Sequence, residues 1–225
     1  MKKRFLAALA TGLLIVGISG IAQAAIYNFH LIGADNQPTN DLGSQLQVDV
    51  TDNGGSVNFT FANIGSIDSF IGQIYFDATP DTLMNWSSYY FAQTGEVAFH
   101  VNATPGDLSG GNTISFSSDW DAGADRPAPT YGISNYEGIG VKETLTIRFN
   151  YFSGQTYSNV LSYLDNSSLE IGLHVMGIEP STSGGPLDAS EAYVNNTKPV
   201  PEPATMLLFG TGLAGLAAVA RRRKN

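Results

Sequence analysis

The chain has 225 residues, no cysteine and an apolar content of 43%. Residues 25–200 carry four basic and 19 acidic side chains, a net charge of −15, which argues against nucleic-acid or anionic-membrane binding by this part. Without cysteine there is neither a disulfide framework nor a thiol nucleophile, so a packed core must stabilise the fold.

The N-terminus has the three parts of a secretory signal peptide. A basic stretch at 2–4 precedes an apolar run at 5–18, and Ala22 and Ala24 frame a small-x-small cleavage site. We therefore predict a signal helix over residues 1–24, export through a secretion translocon, and cleavage by signal peptidase before Ala25. A retained membrane anchor is the alternative.

The body of the chain is rich in alternating apolar and polar residues. Residues 45–50 and 57–61 alternate on either side of the turn sequence Asp-Asn-Gly-Gly, which predicts a β-hairpin, and residues 144–151 alternate in the same way. A short helix is expected over 159–164, with Asn159 as its cap. Weaker strands are expected at 27–32, 71–76, 96–101, 113–117 and 169–178. The pattern predicts an all-β fold, a single antiparallel β-sandwich of jelly-roll-like type over residues 25–178.

One loop of the body crowds three carboxylates. Asp119, Asp121 and Asp125 lie in the stretch SSDWDAGADRP, and a D-x-D sequence begins many Ca²⁺ sites. An EF-hand loop would need an oxygen ligand where Gly123 stands and a glutamate where Thr130 stands. A solvated acidic turn is therefore the preferred interpretation, a Ca²⁺ site is the alternative, and no other cofactor is predicted.

No catalytic motif is present in the sequence. The histidines do not have metal-ligand spacing, and His100 and His174 alternate with apolar residues as structural strand histidines do. No G-x-S-x-G motif occurs, so we predict that the protein is not an enzyme. Carboxylate pairs of a hydrolase can meet in the fold alone and stay an open alternative. Exposed aromatic residues, Trp86 and Trp120 foremost, are the candidate sugar contacts of a carbohydrate-binding alternative.

The C-terminal quarter changes composition twice. Residues 179–200 are rich in Pro, Gly, Ser, Thr and Asn and are predicted to be a flexible linker. Residues 204–220 carry no charge and, as a helix, would span about 25 Å, which is enough for a short transmembrane helix. Gly210, Gly212 and Gly215 have the G-x-G-x-x-G spacing of a dinucleotide site, but too little chain follows to form one.

Basic residues stop this apolar segment and fix its orientation. The cluster consists of Arg221, Arg222, Arg223 and Lys224. Basic residues that flank an apolar membrane segment stay in the cytoplasm. All residues between the two apolar segments are therefore predicted to be exported. Before processing, the tail would anchor the precursor in the inner membrane.

The tail, residues 201–225, resembles the PEP-CTERM sorting signal of Gram-negative bacteria. The resemblance rests on Pro201, Glu202 and Pro203 directly before an apolar Gly-rich segment with a basic stop. It implies recognition of the Pro-Glu-Pro motif by an exosortase, a transpeptidase-like membrane enzyme, and delivery of the body to the cell surface or extracellular space. It also implies a structural or adhesive role associated with exopolysaccharide or biofilm, with extracellular polysaccharide as the expected partner.

Overall fold

The computed structural model describes residues 24–32, 41–125, 137–178 and 189–195. Within these ranges the chain forms ten β-strands and one α-helix, α1 (Tyr157–Asp165). The strands are β1 (Ala25–Leu31), β2 (Leu46–Asp52), β3 (Ser56–Asn63), β4 (Phe70–Ala78), β5 (Met84–Gln93), β6 (Phe99–Val101), β7 (Trp120–Ala124), β8 (Thr144–Tyr151), β9 (Leu169–Ile178) and β10 (Ala189–Asn195).

All ten strands belong to one sheet, in the order β5-β8-β3-β2-β1-β10-β9-β4-β7-β6, and every neighbouring pair is antiparallel. The prediction of an antiparallel all-β body is confirmed. β1 joins two halves, because residues 25–28 pair with β2 and residues 29–31 pair with β10. We call β5, β8, β3 and β2 the first half-sheet and β10, β9, β4, β7 and β6 the second half-sheet.

The two half-sheets face each other across one apolar core. Alternate side chains of the strands point inwards, as the period of two in their sequences requires. Phe76 of β4 lies at the centre, with its ring centroid 5.1 Å from that of Phe59 on β3 and 5.3 Å from that of Phe149 on β8. Edge-to-face contacts of this kind add to the free energy gained by burying the rings.

Side chains bridge the gap between β5 and β6, the two edge strands of the sheet. The rings of Tyr89 and Phe91 on β5 lie 5.7 and 6.1 Å from the Trp120 ring on β7. At the end of β5, Gln93 Oε1 accepts a hydrogen bond of 2.6 Å from the Phe99 backbone N–H on β6. The sheet is therefore nearly closed without a backbone ladder at this position.

Residues 102–118, which we call the covering loop, pack on the outer face of the second half-sheet. Leu108 and Phe116 of the loop form a second apolar cluster with Tyr75 of β4. A Cβ atom on Gly172 of β9 would lie 2.6 Å from Leu108 Cδ2, so the glycine lets the loop side chains pack directly on the strand and a larger residue would displace Leu108. The strand predicted at 113–117 is wrong, because this segment follows a 3-10 turn at Gly111–Thr113 and belongs to the loop.

The predicted linker needs a correction, since part of it is a strand. β10 lies inside the 179–200 segment and pairs with β1 on one side and β9 on the other. The side chains of β10 are buried on both faces of the sheet. Tyr193 belongs to the main core, and Ala192 and Val194 belong to the second cluster. The domain thus extends to Asn195 and leaves five residues, 196–200, before Pro201.

The predicted helix forms but begins earlier than expected. Its N-cap is Thr156, and Asn159 occupies the third helical position, where its Oδ1 accepts the Thr156 backbone N–H at 3.0 Å. Asn159 is therefore the second member of a capping box and not the cap itself.

Both sorting segments lie outside the described residues. Of the predicted signal peptide, the structure describes Ala24 alone, which directly precedes β1. Residues 201–225 are not described. None of the helices in the described ranges has the length and apolarity needed to cross a bilayer.

Candidate functional site

Trp120, one of the two candidate sugar contacts, lies in the core. It is 8% exposed, and its ring centroid lies 4.8 Å from that of Phe149 and 5.7 Å from that of Phe76. A sugar ring cannot stack on a tryptophan whose faces are occupied in this way. The assignment of Trp120 as a sugar contact is therefore wrong, and the residue stabilises the fold instead.

Trp86, the other candidate, is half-buried on the edge strand β5. One side of its ring packs on the core, with centroids 5.2 Å from Phe149 and 5.9 Å from Phe76. Its indole N–H donates a hydrogen bond to Asp81 Oδ1. The exposed part of the ring is accessible, but its position follows from core packing.

Tyr90 is the most exposed aromatic residue in the described ranges. It is 57% exposed on the outer face of β5, directly opposite Arg148 of β8 in the register. The Arg148 Cζ atom lies 5.4 Å from the centroid of the Tyr90 ring, which is a cation–π distance. Arg148 Nε also donates a hydrogen bond of 2.8 Å to Asn58 Oδ1 on β3. Three adjacent strands therefore hold one guanidinium group against one exposed ring.

Polar side chains continue this surface on both sides of Arg148. Two residues along β8 in one direction, Asn150 Nδ2 donates to Ser88 Oγ at 2.6 Å. Two residues in the other direction, the Thr146 hydroxyl lies 2.9 Å from that of Thr60. We call these side chains together with Tyr90, Arg148 and Asn58 the polar face of the first half-sheet. It offers hydroxyl and amide groups beside one aromatic ring and one cation.

The three carboxylates of the proposed Ca²⁺ site have separate partners. Asp119 Oδ2 accepts the Ala78 backbone N–H at 2.7 Å, and Asp121 Oδ1 accepts that of Ala103. Asp125 Oδ1 lies 2.5 Å from His100 Nδ1. Burial raises the pKa of the Asp119 and Asp121 carboxyls, against the opposing effect of these N–H donors.

No three His, Cys, Asp or Glu side chains in the described ranges are grouped so that they could hold a metal ion. The three aspartates instead fix β7 and the chain around it, since each anchors a different segment. The arrangement gives the Ca²⁺ interpretation no support.

His174 belongs to a buried polar network under the covering loop. Its Nδ1 lies 2.7 Å from Gln73 Oε1, and the Tyr75 hydroxyl lies 2.8 Å from the same oxygen. Gln73 Nε2 donates to the Thr104 carbonyl at 2.6 Å, so Oε1 is the acceptor and His174 Nδ1 carries the proton. Burial lowers the pKa of His174. The network ties the loop to the sheet through Thr104 and Pro105, whose carbonyl lies 2.9 Å from the Tyr75 hydroxyl.

Two carboxylates face each other on neighbouring strands of the second half-sheet. Asp77 of β4 is directly opposite Glu170 of β9 in the register, and Asp77 Oδ2 accepts the Ser117 backbone N–H at 2.7 Å. Burial raises the pKa of Glu170, and the negative charge of Asp77 raises it further. This is a facing carboxylate pair of the kind that the hydrolase alternative requires.

Arg148 and Asn58 are the residues that sequence reasoning missed at the polar face. Alternation with Leu145, Ile147 and Phe149 places Arg148 on the outer face of its strand. Its contacts with Tyr90 and Asn58, however, depend on pairing between strands that are far apart in sequence. The sequence carries no signal for that register.

Residues 199–224 match the family of the PEP-CTERM protein-sorting motif. The matched segment includes Pro201, Glu202 and Pro203 and begins four residues after the last strand. Neither a curated protein nor a solved structure matches the chain.

The C-terminal sorting motif that follows the antiparallel β body implies an exported protein that crosses the membrane as a precursor. The chain is a PEP-CTERM domain-containing protein. The motif implies an exosortase as the processing partner and an extracellular destination for the body.

Proposed function

We propose that the protein is a non-enzymatic structural or adhesive component of the cell surface or extracellular matrix, built on a jelly-roll-like β-sandwich and associated with exopolysaccharide or biofilm. The observation that carries this proposal is the sorting motif at 199–224, which implies an exosortase-sorted extracellular protein. The body itself has a continuous core and an acidic surface. High negative charge keeps a secreted domain soluble and apart from its own copies.

Replacement of Glu202 by Ala tests the sorting step. The variant should be exported and should keep its tail, because the exosortase recognises the Pro-Glu-Pro motif. Intact-mass measurement of the surface and membrane fractions distinguishes the two forms. Glu179→Ala, an acidic residue outside the matched segment, is the control and should be processed normally. An identical tail-less product from both variants contradicts recognition of Glu202.

A second candidate function, carbohydrate binding, is supported by the exposure of Tyr90 on the polar face. Aromatic rings stack on the apolar faces of sugars, and the neighbouring hydroxyl and amide groups suit sugar hydroxyls. Retention of the purified exported protein on the host's own exopolysaccharide tests this function. The same incubation tests the non-enzymatic assignment, because new reducing ends that disappear in Asp77→Asn or Glu170→Gln would show hydrolysis.

A further inference from the structure

Arg148 is an unusual cation on an acidic protein. The described ranges contain two Lys or Arg side chains, Lys142 and Arg148, against 16 acidic ones. An ion pair would be the expected use of such a residue, yet no carboxylate in those ranges lies within salt-bridge distance of Arg148. Its positive charge therefore has no counter-charge among the described residues.

The guanidinium group is nevertheless fixed in place. Its Nε atom donates to Asn58 Oδ1, and its Cζ atom lies over the Tyr90 ring, 5.4 Å from the ring centroid. Neither Nη group donates a hydrogen bond to a residue in the described ranges. A guanidinium that is held through Nε beside an aromatic ring presents its two Nη groups as a preorganised fork. Such a fork matches the two oxygens of a carboxylate and donates two parallel hydrogen bonds to it.

The surroundings of the fork favour a sugar carboxylate over a carboxylate on a flexible apolar molecule. The Tyr90 ring is exposed on the same face, and Asn150, Ser88, Thr146 and Thr60 flank Arg148 along the strands. A pyranose ring has an apolar face for the aromatic ring and hydroxyl groups for the flanking amides and hydroxyls. A neutral sugar would offer the Nη donors hydroxyl oxygens, but neither the negative charge nor the paired oxygens of a carboxylate.

We propose that the polar face binds carboxylated sugars of the uronate type, with the sugar carboxylate on the two Nη groups of Arg148 and the pyranose ring against Tyr90. This inference rests on the second candidate function, carbohydrate binding, and specifies its ligand class. The negative charge of the body disfavours distant parts of an acidic polymer, but at physiological ionic strength charges beyond about 8 Å are largely screened. The local contact with Arg148 therefore decides recognition.

The test uses the purified exported protein and two polymers with the same sugar backbone, polygalacturonate and its fully methyl-esterified form, in which every carboxylate is replaced by an uncharged ester. The parent protein should bind polygalacturonate and should bind the ester at least about tenfold more weakly, which corresponds to about 1.4 kcal/mol. Arg148→Gln should lose the preference for the acid form. Arg148→Lys should recover part of it at most, because an ammonium group lacks the planar fork.

Lys142→Gln is the matched control, since it removes the same charge from an exposed turn next to β8 and should keep the preference. Unfolding midpoints of all variants show that each remains folded. Equal binding of the two polymers by the parent protein overturns the proposal while carbohydrate binding itself stands. Retention of the host polysaccharide with no affinity for either probe also overturns the uronate assignment, and an unchanged preference in Arg148→Gln removes Arg148 from the site.

Discussion

The rings of Phe76 and Phe149 meet edge to face, with centroids 5.3 Å apart and planes at 78°. Phe76 comes from β4 in the second half-sheet and Phe149 from β8 in the first, so this contact spans the interior of the domain. Both side chains have no exposed surface. The two half-sheets pack directly against each other at this pair of rings.

Phe76→Ala should therefore destabilise the body strongly. A buried phenylalanine replaced by alanine loses transfer free energy and leaves a cavity, which together cost about 3–5 kcal/mol. Urea unfolding of the exported protein, followed by tryptophan fluorescence, measures the change. Phe152→Ala is the control, because Phe152 is 47% exposed just after β8 and should cost well under half as much. Similar losses from both variants would contradict the central role of Phe76.

Gly172→Ala should weaken the contact of the covering loop with the sheet. The new methyl group would meet Leu108 Cδ2 at 2.6 Å and Phe116 Cζ at 3.1 Å, and overpacking of this kind costs about 1–3 kcal/mol. Limited proteolysis within residues 102–118 should become faster, together with a lower unfolding midpoint. Gly106→Ala is the control, since its Cβ atom would lie 3.8 Å from the Ala103 carbonyl oxygen, an ordinary contact. A proteolysis rate equal to that of the parent protein would show that the loop does not need glycine at position 172.

His174 should make the folded body less stable as the pH falls. Burial lowers the pKa of the folded-state imidazole, whereas the unfolded chain binds a proton near the ordinary value of about 6.5. Protonation therefore favours the unfolded state. The stabilisation is present above about pH 6.5 and is lost as the pH falls from there towards the folded pKa.

The measurement is the dependence of unfolding free energy on pH between about 7.5 and 5.5, in the parent and in His174→Gln. The variant should show a smaller decrease with falling pH. His100→Gln controls for an exposed histidine, because His100 is 55% exposed in its contact with Asp125. Carboxyl groups with raised pKa values are present in all three proteins and do not affect the comparison. Equal slopes for the parent and His174→Gln would contradict the prediction.

The distance between the body and the sorting motif should limit processing. Six Cα–Cα steps separate Asn195 from Pro201, so the motif lies at most about 20 Å from the end of β10. Deletion of residues 196–199 shortens this reach to about 7 Å. The tail-bearing precursor should then accumulate, and six Gly/Ser residues inserted at the deletion should restore cleavage. Intact mass distinguishes the forms, and unimpaired cleavage of the deleted protein would rule out a role for the spacing.

Local sequence patterns predicted the parts of the fold in which neighbouring residues decide the structure. The hairpin of β2 and β3 and the strands β8 and β9 form at the predicted positions, and the short helix begins two residues earlier than predicted. β10 was missed because its sequence, ASEAYVN, is polar in part and lies among Pro, Gly and Ser residues. Its burial depends on Tyr193 entering a core whose other members are distant in the chain.

The candidate functional residues also fall into two groups, those that the local sequence predicts and those whose contacts depend on strands distant in the chain. The sorting motif was readable because its residues are contiguous, and the match at 199–224 confirms it. Trp120 was misplaced because alternation shows that two faces exist, but not which of them meets the opposite half-sheet. Arg148 and Tyr90 are 58 positions apart and become neighbours through the β5–β8 register alone.

The pairing of β1 with β10 sets the order of events during secretion. The first and last strands of the body are adjacent in the middle of the sheet, so the two halves cannot be joined until the residues before the sorting tail have crossed the membrane. The β1–β10 ladder therefore cannot form until nearly all of the body has been translocated. Five residues, 196–200, separate β10 from the Pro-Glu-Pro motif, so the sheet can be completed only once the segment directly before the motif is outside. Folding can thus act as a checkpoint that brings only fully translocated chains to the exosortase as closed domains.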